Sequence, residues 1–129
     1  MAKTALDLTP QEWQAYKPAH SFETRNAAQK LQQKKRREVA WRLARQTAQL
    51  LRDKFKADKV VVFGSLTHQS WFNQWSDIDL AAWGIPPDRF YSAAAAITGL
   101  SPDFKIDLVN PESCQPMLRE VIDQTGLEL

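Results

Sequence analysis

The sequence predicts an α/β (α+β) protein, in which a small mixed β-sheet is backed by helices and preceded by a long helical extension. Three observations support this fold class. A long segment without Gly or Pro is rich in helix-forming residues, three short apolar runs later in the chain are typical of strands, and helical patterns separate these runs. A chain of 129 residues can also bury a core without disulfide or metal crosslinks.

Two helices are predicted in the N-terminal part of the chain. In LTPQEWQAY, Thr9 can cap a short helix, Pro10 suits its first position, and Glu12 completes a capping box before Pro18 ends it. Residues 22–55 contain neither Gly nor Pro and are dominated by Ala, Gln, Arg, Lys and Leu. This composition predicts one long helix.

The two halves of the long helix differ in their apolar residues. Helical spacing in the second half predicts a core-facing stripe made of Val39, Ala40, Leu43, Ala44, Leu50, Leu51 and Phe55. The first half, around QKLQQKKRR, offers mainly Leu31, so we expect it to be exposed or held by a partner. We therefore divide the chain into an N-terminal helical extension, residues 1–36, and a globular domain, residues 37–129.

The globular domain is predicted to alternate strands with helices. KVVVF forms a buried strand at residues 59–63, SDIDLAAW a second at about 77–82, and FKIDLVN a third at about 104–109. Between the last two, DRFYSAAAAIT is predicted to form a helix that ends at Gly99.

A last helix is predicted after the turn at Asn110-Pro111, and its apolar residues are Met117, Leu118, Val121 and Ile122. Residues 125–129 leave open whether a final strand follows. Four aromatic residues are expected to pack in the core: Trp71, Phe72, Trp75 and Tyr91. For the first three, base stacking or a partner contact is the alternative.

Charge is distributed unevenly along the chain. Residues 30–56 hold ten Lys or Arg against two acids, whereas the net charge of the whole chain is only +2. The run Lys34-Lys35-Arg36-Arg37 has three interpretations: a solvated helix face, docking on an acidic partner, or nucleic-acid binding, which no recognised motif accompanies.

The composition also bounds where the protein acts. The single cysteine, Cys114, cannot form an internal disulfide, and this usage is typical of a reducing compartment. The start MAKTALDLTP does not have the apolar core of a signal peptide, and no run approaches membrane-spanning length. We expect a soluble, cytoplasmic protein.

Gly64-Ser65 follows the first strand directly and is the first candidate binding element. Without a side chain, Gly64 would allow phosphate oxygens to approach backbone N–H groups, and the Ser65 hydroxyl could add a hydrogen bond. Taken alone, a Gly-Ser pair after a strand is usually only a turn.

Acidic residues on the next two predicted strands are the second candidate. Alternation puts Asp77 and Asp79 on one face of a strand, where like charges repel, and Asp107 stands between apolar neighbours on another. Carboxylate oxygens are the ligands that Mg²⁺ prefers. Two Mg²⁺ ions held by Asp77 and Asp79 would offset the repulsion and clamp the reacting oxygens of a phosphoryl displacement. Asp107 would complete the site and accept the proton of the attacking hydroxyl.

A family resemblance rests on three segments together: Gly64-Ser65, Ser76-Asp77-Ile78-Asp79-Leu80 and Ile106-Asp107-Leu108. They resemble the nucleotidyltransferase pattern of the DNA polymerase β-like superfamily, and more narrowly that of the minimal nucleotidyltransferases, or MNT proteins. The match covers roughly residues 38–123.

The resemblance implies a nucleotidyltransferase (polymerase β palm-like) fold for residues 37–129 and a Mg²⁺-dependent transfer of AMP from ATP. It implies Asp77, Asp79 and Asp107 as catalytic and metal-binding residues and Gly64 and Ser65 as nucleotide-binding residues. Many such proteins are antitoxins of a HEPN-type ribonuclease toxin, and some act by AMPylation of a toxin tyrosine. We therefore expect a toxin–antitoxin system with a HEPN-type toxin as partner.

One departure from the family pattern leaves alternatives open. Relatives often carry one or two arginines soon after Gly-Ser, whereas residues 64–69 here read GSLTHQ. His68 could replace a phosphate contact. The alternatives are an antitoxin with weak or no catalysis that acts by contact, and a small-molecule nucleotidyltransferase of the aminoglycoside type.

Overall fold

The protein, seen in a computed structural model, is described over residues 19–68 and 72–129, with side chains from residue 26 onward. The short helix predicted around Thr9 and the side chain of Trp71 lie outside the described residues. The chain divides between Lys34 and Lys35 into two compact units. In the first, the described residues are helical; the second holds the sheet.

The helices and strands follow the predicted order, and their bounds are α1 Ala19–Phe55, β1 Lys59–Phe63, β2 Ile78–Trp83, α2 Pro87–Thr98, β3 Ile106–Val109, α3 Pro116–Thr125 and β4 Leu127–Glu128. A 3-10 turn, Gly64–Thr67, follows β1. The sequence left open whether residues 125–129 form a final strand, and the structure shows that strand as β4.

The four strands form one mixed sheet in the order β3-β2-β1-β4. Strand β1 runs antiparallel to both β2 and β4, and β2 runs parallel to β3. The α/β fold class with a small mixed sheet backed by helices is confirmed.

Helix α1 contributes one wall of the core through its second half. Ala40, Ala44, Leu51 and Phe55 are buried as predicted, and Leu43 and Leu50 pack against them. The prediction for Val39 is wrong, since its side chain is 46% exposed. It lies about 100° around the helix from Ala40, which turns it away from the buried stripe.

The two faces of the sheet are covered by different elements. Alternate residues of the strands, among them Val60, Val62 and Leu80, pack in a large cluster with residues of α1 and α2. The intervening residues, such as Val61 and Ala81, pack with Ile122 of α3 in a smaller cluster. This alternation follows from the period of two in a strand.

Two of the aromatic residues are more exposed than predicted. Phe72 is buried, but Trp75 is 82% and Tyr91 88% exposed, so core packing was the wrong prediction for both. On α3, Ile122 is buried while Met117 is 80% exposed. Trp75 lies in the turn before β2, and Tyr91 lies on α2, of which only one face can reach the sheet.

None of the helices within residues 19–68 and 72–129 combines the length and apolar character needed to cross a lipid bilayer.

Leu51→Ala should destabilise the fold strongly. Leu51 is fully buried within the main cluster, and truncating such a leucine costs about 3 kcal/mol through lost burial and the remaining cavity. Urea unfolding measures the difference. Leu100→Ala is the matched control, because Leu100 is 41% exposed and should cost well under about 1 kcal/mol. Equal losses in the two variants would contradict this placement of the core.

Candidate functional site

The turn after β1 brings backbone groups to one end of the sheet. Gly64 has φ +77°, a left-handed conformation that favours glycine, and it starts the 3-10 turn. Two hydrogen bonds close this turn: the Thr67 hydroxyl donates to the Gly64 carbonyl at 2.7 Å, and the His68 amide donates to the Ser65 carbonyl at 3.1 Å. The Gly-Ser turn is therefore an ordered, hydrogen-bonded 3-10 turn.

Gly64 lies directly against the carboxylate of Asp79. A Cβ added at Gly64 would stand 2.7 Å from Asp79 Oδ2, closer than side-chain carbons tolerate. The strand register explains this approach, because Phe63 of β1 pairs with Asp79 of β2. The absence of a side chain at Gly64 thus leaves room for the carboxylate.

The parallel register of β2 and β3 places Asp79 beside Asp107. Both side chains are half-buried, and Asp77 stands just before β2, two residues from Asp79 on the chain. Alternation puts Asp79 on the face of the sheet that Phe63 and Ala81 share. The structure therefore joins the Gly-Ser turn, Asp79 and Asp107 at neighbouring strand positions, as the sequence predicted.

The closeness of these carboxylates, together with burial, changes the pKa of Asp79. The pKa of the Asp79 carboxyl is raised to about 6, first by burial and then by the carboxylates of Asp107 and Asp77, while Lys105 lowers it. Removing a carboxylate from water and facing it with like charge both disfavour its ionised form. All three aspartates are thus close enough to interact electrostatically.

Lys105 is a site neighbour that sequence reasoning did not single out. Its Nζ lies 3.6 Å from Asp107 Oδ1; the Lys105 side chain is largely exposed, and that of Asp107 is about half-buried. Such an exposed pair is worth little, at most about 1 kcal/mol. Alternation along β3 was the available signal, since residues 105 and 107 share a face.

The carboxylates suit a hard divalent cation in their chemistry. Among the described residues, no group of three or more Asp, Glu, His and Cys side chains is drawn together as a complete ligand set. Mg²⁺, however, usually takes only one or two carboxylates together with phosphate and water oxygens. The neighbouring pair Asp79 and Asp107 fits that donor set, and a cation there would offset the repulsion between carboxylates that adds to the effect of burial on the Asp79 pKa.

A cleft opens beside the Gly-Ser turn. It has a volume of about 290 Å³ and is lined by Gly64, Thr67, His68, Gln124, Thr125 and Leu127. The Gly64 amide donates a long hydrogen bond, 3.4 Å, to the Thr125 hydroxyl at the end of α3. His68, which the sequence suggested as a phosphate contact, therefore does line the space next to Gly64.

The basic run of α1 is not uniformly solvated. Lys34 and Lys35 are exposed, but Arg36 and Arg37 are half-buried. Arg36 donates to the carbonyl of Asp103 at 3.2 Å, and Arg37 donates to the carbonyl of Leu66 at 3.3 Å. The solvated-face interpretation therefore fails for the two arginines.

Comparisons with known proteins find structural relatives only. No protein-family model matches the chain, and no curated protein matches its sequence. A crystal structure of a mutant of the toxin-antitoxin MntA-HpeT is 26% identical, with a TM-score of 0.52 over 66% of this chain and 69% of that chain. A second mutant of MntA-HpeT is 21% identical with the same TM-score, over 66% of this chain and 70% of that chain, a likeness of fold alone.

A third similar structure, a toxin-antitoxin with AMP-PNP, is 25% identical, with a TM-score of 0.50 over 63% of this chain and 67% of that chain. The predicted resemblance to toxin–antitoxin nucleotidyltransferases and the predicted fold are confirmed by these likenesses. The roles of the individual site residues stay predictions.

Proposed function

We propose that this chain, which has the nucleotidyltransferase fold of the MntA toxin–antitoxin structures, moves AMP from ATP to a hydroxyl of a partner protein. The observation that carries the proposal is the contact between the Gly64 turn and Asp79, next to Asp107 on the neighbouring strand. A site for phosphates and a site for a divalent cation then adjoin, as nucleotidyl transfer requires.

Each residue has a distinct role in this proposal. The Gly64 and Ser65 turn would position the phosphates, and Asp77, Asp79 and Asp107 would hold Mg²⁺, with two ions expected in all. Bound Mg²⁺ would neutralise charge on the phosphates and on the leaving pyrophosphate. Asp107 accepts the proton of the acceptor hydroxyl. The oxygen of that hydroxyl forms a bond to the α-phosphorus of ATP as the bond from this phosphorus to pyrophosphate breaks.

A HEPN-type toxin is the proposed acceptor, and AMPylation of that toxin would make this chain its antitoxin. The structural relatives that support this are toxin–antitoxin proteins, and one of them was solved with the ATP analogue AMP-PNP. Intracellular ATP and the single free cysteine favour the cytoplasm as the place of action.

An antitoxin that acts by contact alone is the second candidate. Two observations favour it: residues 64–69 contain no arginine, and the Gly64 amide already donates to Thr125. Both would weaken the hold on a triphosphate. The two candidates differ in whether protection from the toxin needs the aspartates.

Incubation of a native-host lysate with the protein, Mg²⁺ and ATP labelled at the α-phosphate tests the proposal. We expect a labelled protein band with the wild type that disappears with EDTA and with Asp77→Asn/Asp79→Asn. Glu112→Gln/Glu120→Gln is the matched control, because it removes two exposed acids and should leave the label unchanged. If no protein is labelled, and the double aspartate variant still protects cells from the toxin when the two are expressed together, the result would instead support the contact antitoxin.

A further inference from the structure

The arginine pair of α1 contacts the two segments that carry the candidate site. Arg37 donates to the carbonyl of Leu66, in the middle of the Gly-Ser turn. Arg36 donates to the carbonyl of Asp103 just before β3, the strand that carries Asp107. Adjacent residues of one helix therefore hold segments that lie 29 and 67 residues away along the chain.

Arg37 is held in a defined position itself. Its guanidinium lies 5.9 Å from the centre of the Trp41 ring, one helical turn further along α1. Its Nε is buried and has no hydrogen-bond partner among the described residues. A buried N–H without a partner costs about 1–3 kcal/mol, so mere solubility does not account for this arginine.

Arg36 is held in a similar way, and its Nε is also buried without a hydrogen-bond partner among the described residues. Its guanidinium carbon lies 4.0 Å from the centre of the Phe104 ring, within the range of a cation–π contact. Phe104 is buried and stacks with Phe72, with ring centres 6.3 Å apart. The next residue, Lys105, accepts a hydrogen bond at its carbonyl from the amide of Ile78 at 2.9 Å. Arg36 thus fixes the point where β3 joins the strand of Asp79.

We infer that Arg36 and Arg37 are positioning residues for nucleotidyl transfer, Arg37 for the turn that takes the phosphates and Arg36 for the strand that carries Asp107. The inference rests on the proposed function. The turn contains no arginine of its own, and Arg37 of α1 supplies a cation that donates a hydrogen bond to the carbonyl of Leu66. Part of the basic run thereby has a role other than nucleic-acid binding.

The experiment combines amide hydrogen exchange with transfer kinetics on Arg37→Met, Arg36→Met and the control Arg45→Met. Arg45 lies 5.6 Å from the centre of the Trp41 ring, on the other side of Trp41 in sequence, and is exposed. Arg37→Lys tests rescue by a shorter cation that keeps the charge but has a different hydrogen-bonding geometry.

We expect Arg37→Met to speed exchange of the His68 amide about tenfold while the β1 amides, such as Val62, keep their protection. The KM for ATP should rise about tenfold with a smaller change in kcat, because the turn binds the phosphates. Arg36→Met should instead lower kcat about tenfold or more through displacement of Asp107. Arg37→Lys should bring the KM part of the way back to the wild-type value. Arg45→Met should leave the His68 exchange rate, the KM and kcat unchanged.

Exchange at His68 that is unaffected by Arg37→Met overturns the inference, whatever the protein's activity. Faster exchange with unchanged KM and kcat in an active enzyme overturns it as well. If the wild type transfers no nucleotide at all, the proposed function fails, and the exchange at His68 alone decides whether Arg37 positions the turn.

Discussion

Asp79→Asn is expected to abolish AMP transfer and yet to make the metal-free protein more stable at pH 8. The rate should fall at least about a thousandfold, because a neutral amide cannot replace a carboxylate ligand at the reacting phosphate. The stability should rise because Asp79 is half-buried and faces Asp107 and Asp77, which together raise its pKa to about 6.

The sign of the stability change follows from proton linkage. The carboxyl has a pKa of about 3.9 in the unfolded chain and about 6 in the folded one. Between these values the folded state binds more protons, so the contribution of Asp79 to stability falls as pH rises from about 4 through about 6. The shift corresponds to roughly 3 kcal/mol at most, and solvent screening of a half-buried group reduces this to about 1 kcal/mol.

Urea unfolding of the wild type and of Asp79→Asn in EDTA measures this difference. The variant should exceed the wild type by about 1 kcal/mol at pH 8 and match it at about pH 3, which lies below the pKa of Asp79 in both the unfolded and the folded state. Added Mg²⁺ and ATP should stabilise only the wild type. Asp53→Asn is the control, since Asp53 is exposed on α1 and accepts a hydrogen bond from Gln49. A pH-independent difference would contradict the crowding of carboxylates.

Gly64→Ala should damage both the fold and the site. Gly64 has φ +77°, and a side chain in this left-handed region costs about 1–2 kcal/mol. The added Cβ would also meet Asp79 Oδ2 at 2.7 Å, so that the carboxylate must move. We therefore expect a loss of about 1–3 kcal/mol in unfolding free energy and a loss of transfer of about a hundredfold.

Gly99→Ala provides the matched control. Gly99 follows α2 with φ −97°, and nothing lies within 4 Å of the position its Cβ would take. Its unfolding free energy should change by less than about 0.5 kcal/mol and its transfer rate should be unchanged. If Gly64→Ala behaved like Gly99→Ala, the turn would not depend on glycine and the approach to Asp79 would be no constraint.

The sequence predicted the strands better than it predicted side-chain exposure. β1 was found at its full length because Lys59–Phe63 is an apolar run stopped by a glycine. Alternation also placed Asp79 on the face opposite to Ile78 and Leu80, which pack in the main cluster, since period two holds for any paired strand. The predictions for Trp75 and Tyr91 were wrong because apolar character determines neither whether a residue in a turn, such as Trp75, packs inward, nor which side of α2 faces the sheet.

The contacts of Arg36 and Arg37 could not be predicted from the sequence, for a different reason. A run such as Lys34-Lys35-Arg36-Arg37 carries no signal that separates its exposed members from its buried ones. Arg37 and Leu66 are 29 residues apart, and Arg36 and Asp103 are 67 apart. Only the packing of α1 on the folded sheet brings these groups together, and hydrophobic periodicity does not report it.

The pairing of β1 with β2 also bears on how this protein can vary. Phe63 and Asp79 lie directly opposite each other in the β1–β2 register, so the position of the carboxylate relative to Gly64 is set by the sheet and not by the connection between the strands. Eleven residues separate Ser65 from Asp77. Residues can therefore be gained or lost in that connection over evolution, or inserted by an engineer, while the distance between turn and carboxylate stays the same.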